Sequence, residues 1–151
     1  MPKPIRVIGW REWIALPDLG IQRIKCKVDT GARTSTLHAF YVERFTEQGR
    51  PRVHFALHPL QRRTDIEHRC TADLADERMV SDSGGHREKR CIIRTHVLLG
   101  GQNWPIEITL TSRDTMRFRM LLGRTAIDRR FLVDPSASYL AGSSRNPKRS
   151  R

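Results

Sequence analysis

Residues 24 to 32 read Ile24-Lys25-Cys26-Lys27-Val28-Asp29-Thr30-Gly31-Ala32, and the Asp-Thr-Gly tripeptide within them occurs only once in the 151-residue chain. Apolar and charged side chains alternate up to Val28, and this period of two predicts a strand with one buried face. Gly31 then permits a turn in which backbone amides face the Asp29 carboxylate. Asp29, Thr30 and Gly31 therefore form the candidate catalytic loop.

The same alternation recurs along the chain and predicts a mostly β protein built from half-buried antiparallel sheet. The alternating stretches cover residues 24–28, 53–57, 106–110 and 116–122. Residues 90–94 and 97–99 read as a hairpin, a turn at 100–103 leads into the strand at 104–110, and breaks at 17–20, 48–51 and 81–86 supply further turns. Residues 60–78 read as a strand flanked by surface loops. One short helix is expected after Gly123, over residues 125–130. Short strands at close intervals favour a small barrel or sandwich, with one domain over residues 1–142 and a disordered basic tail over 143–151.

The charge balance favours anionic partners. The chain carries 28 Lys and Arg against 16 Asp and Glu, a net charge of +12. Such a surface suits nucleic acid, an anionic membrane or an acidic protein substrate, and charge alone does not choose between them. No stretch is apolar enough for a signal peptide or a membrane span, and three widely spaced cysteines indicate neither a disulfide framework nor a metal clip. We therefore expect a cytoplasmic protein without membrane contact.

A second motif follows about ninety positions after Asp29. Met120-Leu121-Leu122 runs into Gly123-Arg124, immediately before the expected helix. Together the two motifs resemble the retropepsin-like aspartic proteases, in which such a Gly-Arg segment packs beneath an Asp-Thr-Gly-Ala loop. Further stretches look like a bacterial branch of that group, often labelled ATP-dependent zinc proteases. The residues that carry this resemblance are Val28 to Ala39, Ser83-Gly84, Leu110 to Arg113, Met120 to Ala126 and Phe131 to Pro135.

The resemblance implies a single-lobed, closed acid-protease barrel that acts as a homodimer. Asp29 from each of two copies would share one proton, and the pair would activate a water to hydrolyse a peptide bond, as in the general pattern of aspartic proteases. Thr30 and Gly31 would shape the loop, while Gly123 and Arg124 would brace it from below. No cofactor is implied. Relatives of this branch are associated with ribosomal-protein glutamate ligation, so we expect an acidic, glutamate-rich peptide substrate and contact with a ribosomal protein or RNA.

Two features depart from the viral members of that group. Position 33 is an arginine, where those enzymes usually carry an acid that pairs with the arginine of their Gly-Arg motif. Arg124 must then bind another acceptor, either Asp128 or a backbone carbonyl. The glycine-rich stretch Val80 to His86 is the candidate for a mobile flap. Its residues do not match those of the viral flap one for one, so the resemblance implies the role of a flap but no individual residue.

Several alternative readings accompany this hypothesis. Asp29 is a plain turn residue in one of them, and Asp82-Ser83-Gly84 is a second catalytic triplet in another. Six histidines and three cysteines suggest a zinc site, but the sequence contains no His-Glu-x-x-His motif. Cys26 is interpreted as a small core residue. No phosphate-binding loop supports ATP. The alternative from another class is a basic nucleic-acid or ribosome-binding module without catalysis, disfavoured by the low aromatic content of 7%.

Overall fold

The structure is a computed structural model that describes residues 6–60, 65–81, 84–112 and 117–142. These residues form twelve strands, one 3-10 helix (Pro17–Leu19) and one α-helix, α1 (Arg124–Ile127). The strands are β1 (Arg6–Gly9), β2 (Arg11–Leu16), β3 (Ile21–Asp29), β4 (Ser35–His38), β5 (Tyr41–Glu47), β6 (Arg50–Leu57), β7 (His68–Asp73), β8 (Asp76–Ser81), β9 (Arg87–Leu99), β10 (Gln102–Thr111), β11 (Met120–Gly123) and β12 (Phe131–Asp134). The prediction of a mostly β protein is confirmed.

The largest sheet has seven strands in the order β10-β4-β11-β3-β2-β9-β8, and β9 also pairs with β10. Strands β5, β6 and β7 form a second sheet, and β1 pairs with β12 in a third. Most neighbouring strands pair antiparallel, as predicted, but β11 lies parallel to β3, β4 to β10, and β1 to β12. These partners are distant in the chain, so no tight turn fixes their relative direction.

The hairpin prediction places one strand boundary wrongly. Residues 87 to 99 form one continuous 13-residue strand, whose buried face passes through Thr95 as well as Cys91 and Val97. A polar residue at an inward position interrupts the apolar pattern, which is why the sequence suggested two strands. The true hairpin joins β9 to β10 through Gly100 and Gly101, which both have positive φ, at 59° and 82°. Positive φ at both turn positions matches the twist of the strands, and glycine adopts it without steric cost.

Three other predicted elements change their bounds. The strand expected over residues 116–122 is only β11, which begins at Met120, and Met116 lies outside the described residues. The helix after Gly123 is confirmed but ends at Ile127, where Asp128 is non-helical and Arg129 has a φ of 66°. Residues 60–78 contain all of β7 and the beginning of β8 instead of one strand, and Cys70 on β7 is buried.

The apolar residues of the alternating stretches 24–28, 53–57 and 106–110 pack inward as predicted. In the stretch 116–122 the alternation fails at Arg119, which was expected to face outward but is only 1% exposed. Ile24, Cys26 and Val28 of β3 belong to the same buried cluster as Phe55 of β6 and Ile108 of β10. Burying one such aliphatic or aromatic side chain contributes roughly 1.5–3 kcal/mol. This common core fixes the direction in which β3 delivers its last residue, Asp29.

No helix in the described ranges has both the length and the apolar character needed to cross a bilayer. The cytoplasmic location stays a prediction. So does the division of the chain into a domain over 1–142 and a tail, since residues 143–151 lie outside the described part.

Candidate functional site

The Asp29 loop connects β3 to β4 at the end of a parallel strand pair. In that pair Gly123, the last residue of β11, lies beside Asp29, the last residue of β3. The backbone then turns back, and the Gly31 amide donates a hydrogen bond of 3.0 Å to Oδ1 of the half-buried Asp29. The Ala32 amide donates to the Asp29 carbonyl at 3.3 Å. The sequence prediction that loop amides face the carboxylate is confirmed.

Backbone bonds from the segment after β11 hold this loop from below. The Arg124 amide donates to the Ala32 carbonyl at 2.7 Å, and the Thr125 amide to the Arg33 carbonyl at 3.1 Å. The Thr125 hydroxyl donates to the same Arg33 carbonyl at 2.8 Å. These bonds satisfy carbonyls of an exposed loop, so they restrict its motion. The predicted bracing role of this segment is confirmed.

Gly123 is required by the close approach of the two segments. A Cβ at this position would lie 2.6 Å from the carbonyl carbon of Thr34 and 2.9 Å from the Ser35 nitrogen. The Gly123 amide also donates to the buried Ser35 hydroxyl at 3.0 Å. Any side chain at position 123 would therefore push β11 away from the start of β4.

Arg124 binds a backbone carbonyl, one of the two acceptors expected for it. Its Nη1 donates to the Thr30 carbonyl at 3.2 Å. The contact ties the guanidinium to the centre of the Asp-Thr-Gly tripeptide. Arg33 is exposed and has no acidic partner within the described residues. The charge of Arg33 is therefore available to a ligand.

A groove of about 1120 Å³ opens beside this loop. The loop from Gly31 to Thr34 forms one wall, residues 78–81 of β8 form another, and β9, β10 and α1 supply the rest. Four arginines and two acids line it: Arg33, Arg78, Arg90, Arg130, Glu107 and Asp128. The excess of arginine gives the groove a positive field that favours an anionic occupant.

The groove arginines differ in how far they are neutralised. Arg78 donates to Asp76 at 2.9 Å and to Glu107 at 3.2 Å, and these two side-chain bonds raise its pKa. Arg90 contacts Glu88 at 2.6 Å. By contrast, the guanidinium of Arg130 lies 4.6 Å from the centre of the Trp104 ring, a contact that leaves its charge in place.

The candidate flap is described only in part. Val80 and Ser81 end β8 and line the groove, and the chain resumes at an exposed Gly84 before β9. Asp82 and Ser83 lie outside the described residues, and so does the core of the alternative Asp-Ser-Gly triplet. The flap role stays a prediction.

Two histidines contact neighbouring polar groups of the fold, and Cys26 lies in the core. His54 contacts the Thr71 hydroxyl at 2.9 Å, and His68 contacts the Leu19 carbonyl at 2.7 Å. Among the described residues, no group of three potential ligands is placed to hold a metal ion. Burial raises the pKa of the Cys26 thiol to about 12, consistent with the prediction that it is a core residue.

Sequence reasoning missed most of the groove. Arg78, Arg90 and Arg130 come from three separate parts of the chain, and no local motif distinguishes them from other surface arginines. Ser35 and Thr125 were also missed as loop supports. Only their position next to the two recognised motifs was a signal for them.

A solved structure shares this fold. A Legionella pneumophila protein of unknown function, Lpg0085, superimposes with a TM-score of 0.73 at 24% identity, over 90% of this chain and 98% of that one. At this identity the likeness shows the fold alone.

Curated relatives correct the predicted activity. A Shewanella pealeana protein is 47% identical over 136 residues, and a Parasynechococcus marenigrum protein is 43% identical over 139 residues. Both are named "Probable alpha-L-glutamate ligase". The prediction of an aspartic peptidase, a hydrolase, is wrong against these ligase names.

The match to these relatives is unequal in length. It takes in 90% and 92% of this chain but only 30% of each relative. The chain thus spans about a third of the length of these relatives, and a ligase name given to a whole relative describes more than the part that matches. The family model described as "Retropepsin-like aspartic endopeptidase RimB" matches residues 7–144, and the chain therefore belongs to the RimB-like family.

Proposed function

We propose that this domain serves α-L-glutamate ligation by holding an acidic, glutamate-bearing peptide in the groove beside the Asp29 loop. One observation carries the proposal: the groove is lined by four arginines, and Arg33 has no acidic partner among the described residues. Guanidinium groups bind carboxylates through two parallel hydrogen bonds, a geometry suited to glutamate side chains. The glutamate named for the relatives supplies the matching ligand chemistry.

The Asp29 loop is proposed as the polar end of this site. Gly31 lines the groove directly, and the Gly31 amide keeps one oxygen of Asp29 oriented. The other oxygen, Oδ2, accepts no hydrogen bond within the described residues. In the proposed complex it accepts one from an N–H of the bound peptide, while Thr30 and Gly31 fix the loop shape. Asp29, Thr30 and Gly31 thus remain the proposed site residues.

The proposed scaffold for the groove is a closed, single-lobed barrel of the retropepsin type. The strand order β10-β4-β11-β3-β2-β9 returns to β10 through the β9–β10 pairing, which supports closure. Closure would hold the Asp29 loop and the floor of the groove in one rigid unit.

We also propose that the protein works as a homodimer. Val7 and Leu132 are neighbours in the β1–β12 pair, and they are 46% and 60% exposed. Leu132 borders a second cavity of about 440 Å³ that also contacts Thr30. A second copy would cover this apolar surface next to the Asp29 loop. Sedimentation of the wild type as a monomer at all concentrations would refute this proposal.

Peptide binding tests the proposed function. A peptide ending in several glutamates and the matching glutamine peptide would be titrated against the full chain at low and high salt. We expect the glutamate peptide to bind more tightly and to weaken with salt, because exposed charges are screened. Equal, salt-independent affinities would contradict the role of the groove.

A matched pair of variants locates the binding. Arg33→Gln should weaken glutamate binding roughly fivefold, since one exposed ion pair is worth up to about 1 kcal/mol. Arg69→Gln is the control: it changes the net charge equally, but Arg69 lies on β7 in the three-stranded sheet and is 57% exposed. Equal losses for both variants would show that net charge, not the groove, attracts the peptide.

A further inference from the structure

A second basic surface lies on the outward face of β2 and β3, apart from the groove. It combines four basic and two aromatic side chains, none of which lines the groove. We call it the Trp13 surface, and its members are Arg11, Trp13, Arg23, Lys25, Lys27 and Tyr139.

Strand pairing places these side chains side by side. Trp13 lies opposite Lys25, and Arg11 lies opposite Lys27, in the antiparallel β2–β3 register. The Arg23 guanidinium is 3.7 Å from the centre of the Trp13 ring, and Lys25 Nζ is 5.0 Å from the same centre. Cations therefore surround an aromatic ring on a rigid sheet.

Tyr139 is held against this face in an unfavourable backbone conformation. Its φ is 57°, a region that costs a residue other than glycine free energy unless its surroundings impose it. The Tyr139 amide donates to the Arg11 carbonyl at 3.0 Å, and the next amide, of Leu140, donates to buried Glu12 at 2.9 Å. As a result the Tyr139 ring stacks on Trp13, with centroids 6.2 Å apart and planes 20° from parallel.

The positive charge of this surface is not neutralised by neighbours. Within the described residues, none of its four cations has an acidic partner. Arg11 Nε donates to the neutral Ser138 hydroxyl at 3.0 Å. Glu12 lies between Arg11 and Trp13 in the sequence, but it is fully buried and accepts bonds from backbone amides. The surface therefore offers several positive charges to an outside anion.

We infer that the Trp13 surface binds single-stranded RNA. Positive side chains that follow the backbone phosphates, together with aromatic rings on which bases stack, are the two parts of single-strand recognition. Acidic peptides would use the charges but not the rings. The low aromatic content of the whole chain argued against RNA in the sequence, whereas the fold concentrates Trp13 and Tyr139 among the cations. This inference is independent of the peptide-binding groove.

Fluorescence anisotropy of a labelled oligouridine of about 12 nucleotides, titrated with the full chain across a salt series, tests the inference. We expect binding that weakens steeply with salt. Trp13→Leu should lower the affinity roughly tenfold, and Trp13→Phe should retain most of it, because any aromatic face supports stacking. Lys25→Gln and Lys27→Gln should each reduce the salt slope by about 0.7. Arg69→Gln is again the charge-matched control.

Defined outcomes overturn the inference. Wild-type RNA affinity in Trp13→Leu, Lys25→Gln and Lys27→Gln would place any RNA contact elsewhere, for example on the basic tail. Equal binding of duplex RNA, whose bases are already stacked, would remove the role of the rings. Binding of oligoglutamate that Trp13→Leu abolishes, without binding of oligouridine, would assign the surface to acidic peptide. Thermal unfolding of each variant identifies any loss of RNA affinity that is due to misfolding. If Trp13→Leu does not fold, the RNA affinities of Trp13→Phe, Lys25→Gln and Lys27→Gln test the inference.

Discussion

Replacing Gly123 with alanine tests whether close approach beneath the Asp29 loop stabilises the protein. The new Cβ would lie 2.6 and 2.7 Å from the carbonyl carbon and oxygen of Thr34, and 2.9 Å from the Ser35 nitrogen. All three are backbone atoms, so no side chain can rotate away. Overpacking of this kind costs about 1–3 kcal/mol, and the rigid backbone places the cost near the upper end.

The substitution also stabilises the protein, but by less than the overpacking destabilises it. Gly123 has φ −88° and ψ 172°, which alanine adopts without strain, so the substitution recovers about 0.4–1 kcal/mol by restricting the unfolded chain. The net loss is about 2 kcal/mol. For a chain of this size, each kcal/mol lowers Tm by about 2–4 °C, so the expected decrease is about 4–8 °C.

Calorimetry of the variant and of a glycine control measures this difference. Gly31→Ala is the control, because its Cβ would meet only Asp29 Oδ1, at 3.3 Å, and that side chain can move slightly. We expect a much smaller change in Tm for Gly31→Ala than for Gly123→Ala. Equal Tm values for Gly123→Ala and the wild type would refute the claim that the loop rests directly on β11.

Three further predictions address other parts of the chain. Buried Glu12 accepts bonds from the amides of Gly9, Leu140 and Ala141, at 2.6, 2.9 and 3.1 Å. Glu12→Gln leaves only one accepting oxygen, so urea unfolding should show a free energy of unfolding lower by about 3 kcal/mol. Hydrogen exchange at the amides of residues 140 and 141 should become faster. Unchanged exchange at these amides would contradict their hydrogen bonds to Glu12. A hydrogen bond with the His96 side chain lowers the pKa of Asp18 below its ordinary value of 3.8. Ionised Asp18 therefore stabilises the fold at pH values above 3.8, and this stabilisation is lost as the pH falls through the lowered pKa. Urea titrations of Asp18→Asn and wild type should therefore differ at neutral pH and converge in acid, and a gap that is independent of pH would refute this. All three thiols are buried, and burial raises the pKa of Cys26 and Cys70 to about 12, so a thiol reagent should label them only after denaturation; rapid labelling of the native protein would contradict the burial.

Local patterns predicted those parts of the structure that depend on neighbours in the chain. Alternation in β3 identified Ile24, Cys26 and Val28 as core residues, and the glycine of the Asp-Thr-Gly loop indicated the turn that faces Asp29. The same local reasoning failed at Thr95, where one polar residue on the buried face split a continuous strand into two. It also predicted too long a strand at β11, because the alternation in the sequence begins at Met116 whereas the residues that pair begin at Met120.

Activity was the part that the motifs predicted wrongly. An Asp-Thr-Gly loop above a Gly-Arg segment describes how a loop is supported, and the hydrogen bonds from Arg124 and Thr125 account for both motifs in structural terms. Support of a loop does not specify a reaction, because the same fold carries different chemistry through different sites. The ligase names of the curated relatives supplied that correction.

The sequence by itself determined the strand content, the buried faces of β3, β6 and β10, and the loop that Asp29, Thr30 and Gly31 form, since each depends on residues a few positions apart. Only the tertiary structure decided which strands run parallel, which carbonyl Arg124 binds, and which arginines share the groove with Arg33. It also placed Tyr139 on Trp13, across more than a hundred residues of chain. Such contacts follow from the packing of distant segments around one core, and no local periodicity encodes them.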